Sequence, residues 1–150
     1  MNSKVNIKNR KASFEYEFIQ KYTAGIILVG TEIKSIRANK ASISDAYCVI
    51  IDSEVIIKNL HISEYKYASF INHEPKRERK LLLNKQEINK IKSRVQEKGF
   101  ALVPIRLFIN DKGIAKLEIA VAKGKKIYDK RESIKEKDQK RDIDRITKIR

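Results

Sequence analysis

The residues of this chain that could do chemistry are mostly cations, gathered in three groups. Among its 150 residues, 34 Lys and Arg stand against 19 Asp and Glu, a formal net charge of +15. The groups are Asn9-Arg10-Lys11, Pro75–Lys80 and the segment Lys123–Arg150. Ammonium and guanidinium groups bind phosphate, and guanidinium does so with two parallel hydrogen bonds. The charge therefore predicts a polyanionic partner, either nucleic acid or an anionic membrane surface.

Residues that serve catalysis or metal binding form no recognisable pattern. His61, His73 and Cys48 lack the spacing of metal ligands, and the sequence has no phosphate-binding glycine loop or nucleophile elbow. Cys48 lies in an apolar run, so a small buried thiol is favoured over a nucleophile. We predict no enzyme, no cofactor, no metal and no small-molecule substrate, and a nuclease is the least favoured hypothesis.

The basic segment 123–150 cannot form a core of its own. Beyond Arg131 its large apolar residues are Ile134, Ile143, Ile146 and Ile149. Opposite charges recur at helical spacing, but an isolated helix of this length is marginal in water. The segment is therefore predicted to be disordered when free and helical when a partner holds it, with a permanently solvated helix or linker as the alternative. Residues 1–122 then form the folded domain, with a short polar N-terminal arm that is expected to be loose as far as Ala12.

Several segments of the folded domain have clear local patterns. Ala24–Val29 is predicted to be a buried strand, and Thr31–Arg37 a short helix capped by Thr31. Asn84 and Glu87 form a capping box that begins a helix closed by Gly99. The remaining elements are a hairpin around Asp52-Ser53-Glu54, a strand Phe100–Ile109 with Pro104 at an edge or bulge, a turn at Asn110–Gly113, and an alternating strand Ala115–Val121.

These elements predict a mainly β fold with flanking helices, a small antiparallel barrel or sandwich. No apolar run is long enough to cross a bilayer, and the N-terminus lacks the apolar core of a secretory signal. A single cysteine permits no intrachain disulfide, which agrees with a reducing compartment. The expected location is the cytoplasm.

Aromatic residues beside cations are typical of proteins that bind unpaired RNA bases, because each base has a face on which a ring can stack. Phe14, Tyr16 and Phe18 follow the first basic group. Their alternation is equally typical of a half-buried strand. The second basic group, likewise, is either a phosphate-binding loop or a solvated loop that leads into Leu81–Leu83.

Four motifs in order identify a resemblance. They are Asn9-Arg10-Lys11-Ala12, Gly30-Thr31-Glu32-Ile33-Lys34-Ser35-Ile36-Arg37, Arg79-Lys80-Leu81-Leu82-Leu83 and Gly124-Lys125-Lys126-Ile127-Tyr128-Asp129-Lys130-Arg131. Together they resemble the SsrA-binding protein (SmpB) family of bacterial trans-translation, from about Asn9 to the C-terminus.

The resemblance implies a fold and a function. The family's core is an oligonucleotide-binding (OB) type barrel with helices packed outside it. Its members bind the tRNA-like domain of transfer-messenger RNA (tmRNA) near the elbow and deliver that RNA to ribosomes stalled on truncated messages. Their tail fills the empty message channel beside small-subunit ribosomal RNA at the decoding centre. A general RNA-binding or ribosome-associated barrel without tmRNA specificity remains the alternative, and a membrane-surface module is weaker because the tail has no Trp, Phe or Leu to bury.

The resemblance also assigns residues. Leu82, Asn84 and Lys116 match positions that contact the RNA elbow, and Lys34, Arg37, Arg79 and Lys80 are the expected phosphate partners. Thr23 stands where many relatives have an acidic residue, so a contact that needs a carboxylate is in doubt there. Tyr128 matches a ring that stacks near a decoding-centre base, within the tail motif Lys125, Lys126, Tyr128, Asp129, Lys130 and Arg131.

Overall fold

A computed structural model describes residues 5–68 and 71–125 of the chain. Within them, nine strands and three short helices are formed. In chain order they are β1 (Asn6–Lys8), α1 (Arg10–Glu15), β2 (Tyr16–Ile26), α2 (Gly30–Arg37), β3 (Ala41–Ser42), β4 (Tyr47–Ile51), β5 (Glu54–Lys58), β6 (His61–Ile62), β7 (Arg79–Leu82), α3 (Lys85–Val95), β8 (Phe100–Ile109) and β9 (Ala115–Gly124).

Seven of the strands form one antiparallel sheet. Its order is β1-β8-β9-β2-β7-β5-β4, and β3 and β6 pair separately. The long strands β2, β8 and β9 form its centre, with Thr23 opposite Glu118 and Leu107 opposite Leu117. The sheet curls so that β4 comes back toward β8. An apolar groove of about 530 Å³ lies between these two strands and α3. The predicted class, mainly β and antiparallel, is confirmed.

The concave side of the curled sheet holds the main core. Fully buried aliphatic side chains from β2, β5, β7, β8 and β9 meet there, and Ile36 of α2 and Ile91 of α3 belong to the same cluster. A smaller cluster lies on the opposite side, where Ala12 of α1 packs against Val103, Ala120 and Ala122. Helix α1 therefore covers one part of the outer face, and the rest of that face is left open.

The hairpin and the third helix are as predicted. Strands β4 and β5 are joined by Asp52 and Ser53, both with positive φ (49° and 64°), which suits a tight turn between antiparallel strands. Helix α3 begins with the expected capping box: Asn84 Oδ1 accepts from Glu87 N–H at 2.8 Å, and Glu87 Oε1 accepts from Asn84 N–H at 3.1 Å. The helix ends at Val95, earlier than the predicted stop at Gly99.

Pro104 lies at a bulge, as predicted. The register of β8 against β9 shifts between Pro104 and Arg106. Because β8 is paired on both sides, the bulge is what accommodates a residue with no N–H to donate. The Pro104 carbonyl accepts from Asn9 Nδ2 at 2.9 Å.

Three local predictions were wrong. The N-terminal arm is structured, since β1 pairs with β8 and Asn9 caps α1. The strand predicted over Ala24–Val29 begins at Tyr16 and ends at Ile26, because the apolar residues that follow lead into α2. Thr31 does not cap α2; Glu32 accepts a hydrogen bond from the backbone of Val29 instead.

Strand β9 extends two residues past the domain boundary that was predicted at residue 122. Strand β9 continues to Gly124, which is opposite Tyr16. The expected disorder-to-helix transition of the tail concerns residues that, apart from the first three, lie outside the described part of the chain. Among the described residues, no helix is long and apolar enough to cross a membrane.

Candidate nucleic-acid interface

The open part of the outer face brings four of the predicted site residues together. Strand alternation turns Ala24, Leu81 and Leu117 into the core, so their neighbours Thr23, Lys80, Leu82 and Lys116 lie on the opposite side of the sheet. Register places them in adjoining rows of three neighbouring strands. The residues are far apart in sequence, and it is the β9-β2-β7 order that joins them.

One row of this face combines an aromatic ring, a cation and an aliphatic side chain. Phe108 is opposite Lys116, Lys116 is opposite Gly25, and Gly25 is opposite Leu82. Within the described ranges, Lys116 has no carboxylate partner. Its ammonium group is therefore available to a phosphate.

Because Gly25 has no side chain, the Leu82 side chain can lie over it on the outer face. A Cβ at position 25 would stand 3.3 Å from the Cβ of Leu82, tighter than ordinary contact. Leu82 is 52% exposed, although the residue before it is buried. The exposed aliphatic surface over a glycine is suited to pack against a ribose or a base.

The next row is more polar. Arg106 donates from Nε to Glu118 Oε1 at 3.0 Å and lies over the Phe108 ring at 4.0 Å. Glu118 is the strand partner of Thr23. A carboxylate thus lies beside Thr23 even though position 23 itself carries a hydroxyl.

Arg106 and Phe108 were missed by the sequence reasoning. Both belong to a segment that was predicted to be a strand, but its alternation did not say which strand would be its neighbour. The pairing with β9 puts them beside Lys116 and Glu118.

Asn84 lies directly after β7, at the start of α3. Its Oδ1 is used by the capping box, whereas no acceptor is recorded for its Nδ2 among the described residues. Asn84 and Thr23 also line one polar cleft of about 780 Å³ between β2 and α3. Capping and ligand binding are therefore compatible, since they use different atoms of the amide.

Arg79 is placed differently from the other predicted cations. It is 1% exposed, and its Nε donates to Glu32 Oε2 at 2.6 Å. Its Nη1 donates to the carbonyl oxygens of Leu60 at 2.7 Å and Arg77 at 2.8 Å, and its Nη2 donates to the Pro75 carbonyl at 3.2 Å. Such a guanidinium presents no donor to an external phosphate in this structure. Its burial argues against the predicted phosphate contact and favours a structural role.

Arg79, Arg77 and Glu32 form what we call the arginine clamp. Arg77 reaches the same carboxylate with two donors, Nη2 to Oε1 at 2.7 Å and Nε to Oε2 at 3.2 Å. The clamp joins α2 to the segment before β7 and to β7 itself.

Burial of Glu32 would raise its pKa, but hydrogen bonds from Arg77, from the Val29 N–H and from Arg79 together outweigh that effect and lower it. Burial lowers the pKa of Arg79, and the adjacent carboxylate opposes this. Arginine remains protonated in proteins, so the clamp is ionic.

The remaining predicted cations, Lys80 of the outer face and Lys34 and Arg37 of α2, are more exposed than Arg79. Lys80 pairs with Glu54 at 2.8 Å, with side chains that are 41% and 48% exposed, so the pair is weak and a phosphate can displace it. On α2, Arg37 reaches the Gly113 carbonyl in the β8–β9 turn at 3.4 Å, and Lys34 lies over the Tyr65 ring at 5.5 Å.

The tail is represented by its first residues only. Lys125 N–H donates to the Glu15 carbonyl at 3.0 Å, so the chain leaves the sheet beside the end of α1. Lys126, Tyr128, Asp129, Lys130 and Arg131 lie outside the described residues, and their predicted roles stay predictions.

Cys48 is buried, as predicted, and His73 is also held inside the fold. Burial raises the pKa of the Cys48 thiol to about 12. His73 is held between the Thr31 hydroxyl at 2.9 Å and the Ile62 carbonyl at 2.8 Å. No group of three metal-ligating side chains occurs in residues 5–68 and 71–125.

The chain is similar to proteins of one family over nearly its whole length. The family model described as "SmpB protein" matches residues 6–149. The SsrA-binding protein of Phocaeicola vulgatus is 60% identical over 144 residues, covering 96% of each chain. That of Cytophaga hutchinsonii is 60% identical over 142 residues, covering 95% of this chain and 93% of the relative.

A solved structure gives the same result for the fold. A chain in the structure described as "tmRNA-SmpB: a journey to the center of the bacterial ribosome" superposes with a TM-score of 0.69 at 39% identity. The match covers 93% of this chain and 97% of that chain. Sequence and fold agree over nearly the whole length, and the chain belongs to the SmpB family of SsrA-binding proteins.

Proposed function

We infer that this chain binds tmRNA and delivers it to stalled ribosomes in trans-translation. The family and its solved relative carry the inference at the level of function. The same family is one of RNA-binding proteins, and we propose that this member acts without catalysis, in the cytoplasm.

We further propose that the outer face is where the tRNA-like domain binds. The observation that carries this is the row Phe108–Lys116–Gly25–Leu82, which combines the exposed Leu82 side chain and the half-buried Phe108 ring with an ammonium group that has no carboxylate partner among the described residues. A structured RNA is recognised mainly through its backbone shape, its 2′-hydroxyls and a few unstacked bases. Lys116 and Lys80 supply charge for the backbone, Leu82 packs against a nucleotide, and Thr23 and Asn84 supply polar atoms from the adjoining cleft.

The roles of the remaining predicted cations divide. Lys34 and Arg37 extend the surface along α2, so they retain the proposed phosphate contacts. Arg79 acts from beneath, since its ion pair with Glu32 fixes the start of β7 and with it the position of Lys80 and Leu82.

The segment 123–150 is proposed to act as a separate unit. Its net charge and the ring of Tyr128 suit the ribosomal RNA around an empty message channel. If the segment becomes ordered inside that channel, a message that already occupies the channel would block its binding. Deleting residues from Asp129 onward should leave tmRNA affinity intact and abolish rescue.

A competition gel shift tests the proposal. The protein binds a labelled transcript of the tRNA-like domain at physiological salt, with ordinary tRNA and a charge-matched hairpin as competitors. Strong preference for the tRNA-like domain is expected. Equal competition by all three RNAs would reduce the protein to a general RNA-binding barrel.

The site is tested by Leu82→Ala, with Ile51→Ala as its control. Both residues are about equally exposed, at 52% and 44%, but Ile51 lies at the end of β4 at the sheet's edge. Loss of affinity in the first variant and none in the second is expected. The same result for both variants would move the contact away from this face.

A further inference from the structure

The segment between β6 and β7 exposes apolar surface that the folded domain does not need. Tyr67 is 72% exposed and Ile71 is 87% exposed, whereas the other exposed large hydrophobic residues in the described ranges lie between 40% and 52%. Exposed apolar side chains that occur together commonly mark a binding site.

The base of this segment is firmly built. Asn72 Oδ1 accepts from the Tyr65 N–H at 3.0 Å and the His73 N–H at 3.2 Å, and Asn72 Nδ2 donates to the Tyr65 carbonyl at 2.9 Å. The His73 ring is fixed in turn between Thr31 and Ile62. The Ala68 N–H also donates to the Tyr65 carbonyl at 3.1 Å, so Tyr67 lies in a hydrogen-bonded turn next to this base.

The two tyrosines form an aromatic and cationic group. The rings of Tyr65 and Tyr67 meet edge to face, with centroids 5.8 Å apart and an angle of 71°. Lys34 lies over the first ring at 5.5 Å and Lys66 over the second at 5.6 Å. Glu64, the nearby carboxylate in the chain, has no recorded ion pair with either lysine within the described ranges.

Helix α2 connects this group to the outer face. Lys34 and Arg37 are one turn apart on the helix. Lys34 lies over Tyr65, and Arg37 reaches Gly113 in the turn between the strands that carry Phe108 and Lys116. A ligand on the outer face that extends past α2 meets the tyrosines next.

We propose that Tyr65 and Tyr67, with Lys34 and Lys66, form a stacking site for an unpaired nucleotide of the RNA that the outer face binds. The inference rests on the proposed function and adds a second contact to it. An exposed ring offers its face to a base of any sequence, and an adjacent ammonium group neutralises the phosphate of the same nucleotide. A folded protein partner is less suited, because the apolar area is small and lysines flank it.

The test uses the full-length chain and the tRNA-like domain transcript. Tyr67→Ala is compared with Tyr67→Phe, which keeps the ring, and with Tyr47→Ala, which removes an exposed tyrosine from β4. Affinity is measured at several salt concentrations, and thermal melting confirms that each variant is folded. We expect Tyr67→Ala to weaken binding about 5- to 150-fold, the range for loss of one base-stacking ring. Tyr67→Phe and Tyr47→Ala should bind as the wild type does.

Salt dependence separates stacking from charge. Tyr67→Ala should shift the affinity equally at all salt concentrations, whereas Lys66→Ala should reduce the slope of log affinity against log salt by roughly 0.7 to 0.9. Unchanged affinity of Tyr67→Ala, with wild-type preference for the tRNA-like domain intact, would overturn this inference and leave the proposed function standing. If the wild-type protein itself showed no preference for the tRNA-like domain, both the proposed function and this inference would be contradicted. A Tyr67→Ala variant that binds the RNA normally but fails in rescue would assign the tyrosines to a ribosomal contact instead.

Discussion

The arginine clamp and the outer face use the same kinds of residue for opposite purposes. In the clamp, two guanidinium groups converge on one buried carboxylate, and every described donor of Arg79 is satisfied inside the protein. On the outer face, Lys116 has no carboxylate partner among the described residues, and Leu82 is half exposed. A cation that is fully paired inside the fold contributes to stability, and one without a partner is available to a ligand.

The difference matters because the two regions are adjacent in sequence. Arg79 and Lys80 are neighbours in one basic group, yet strand alternation turns one into the interior and the other outward. Removing either gives the same change in net charge. The comparison predicts that their consequences separate into stability for the first and RNA affinity for the second.

The largest effect is expected for Arg79→Ala. The substitution removes one of the two arginines that pair with the buried Glu32 carboxylate, and breaking a buried pair costs about 3–5 kcal/mol in the free energy of unfolding. For a domain of this size the melting temperature should fall by roughly 6 to 20 °C. Thermal unfolding followed by circular dichroism measures the change.

Lys80→Ala is the matched control, since it removes the next residue and an exposed ion pair worth less than about 1 kcal/mol. Equal melting temperatures for Arg79→Ala and Lys80→Ala would show that the arginine clamp does not stabilise the fold.

The next effect is a pH dependence of stability that comes from Glu32. Its pKa in the folded state is below the usual value of 4.5. A carboxylate with a depressed pKa stabilises the fold fully above its unfolded-state pKa, and the contribution is lost as pH falls through the folded-state pKa. The free energy of unfolding should therefore decrease as the pH falls below about 4.5.

Urea unfolding between pH 7 and pH 3 measures this decline. Glu32→Gln, which does not titrate, should be less stable at neutral pH, and its deficit relative to the wild type should narrow as pH is lowered. A deficit that stays constant over the whole range would show that ionisation of Glu32 does not stabilise the fold.

How far the sequence predicts the two regions follows from what each depends on. The hairpin and α3 depend on neighbouring residues, and the capping box at Asn84 and Glu87 was readable because both bonds span three positions. The clamp joins Glu32 to Arg77 and Arg79 across more than forty positions. No local pattern distinguishes a buried arginine from an exposed one, so the sequence did not indicate that Arg79 is buried and the residue was predicted to bind phosphate.

The outer face was partly predictable for the same reason. Resemblance to a family supplied Leu82, Asn84 and Lys116, but Phe108 and Arg106 come from strand pairing, which a single sequence does not reveal. The Ala24–Val29 prediction failed because an apolar run is compatible with a strand or with the entry to a helix. The run is in fact divided between β2 and the residues before α2.

A smaller effect, on binding alone, is expected for Lys116→Ala. Its ammonium group has no protein partner in the described ranges, so stability should change little, while affinity for the tRNA-like domain falls several-fold. Loss of one phosphate contact should reduce the slope of log affinity against log salt by roughly 0.7 to 0.9.

Lys112→Ala, in the turn of the same hairpin, is the control and should keep the wild-type slope. Equal slopes for both variants would place Lys116 outside the interface.

The smallest effect is expected at Asn84, whose side chain both stabilises the fold and is proposed to bind RNA. Its Oδ1 caps α3, and its Nδ2 is the atom left for RNA. Asn84→Ala loses both functions and should lower the free energy of unfolding by about 1 kcal/mol, whereas Asn84→Asp keeps a capping oxygen and should be as stable as the wild type. Both variants should bind RNA more weakly, because neither has the amide donor.

The carboxylate of Asn84→Asp adds repulsion from phosphate, but salt screens that repulsion, and the part of the loss that persists at high salt measures the missing donor. If Asn84→Asp bound as tightly as the wild type at high salt, Asn84 would belong with the clamp, as a residue that shapes the face without touching the ligand.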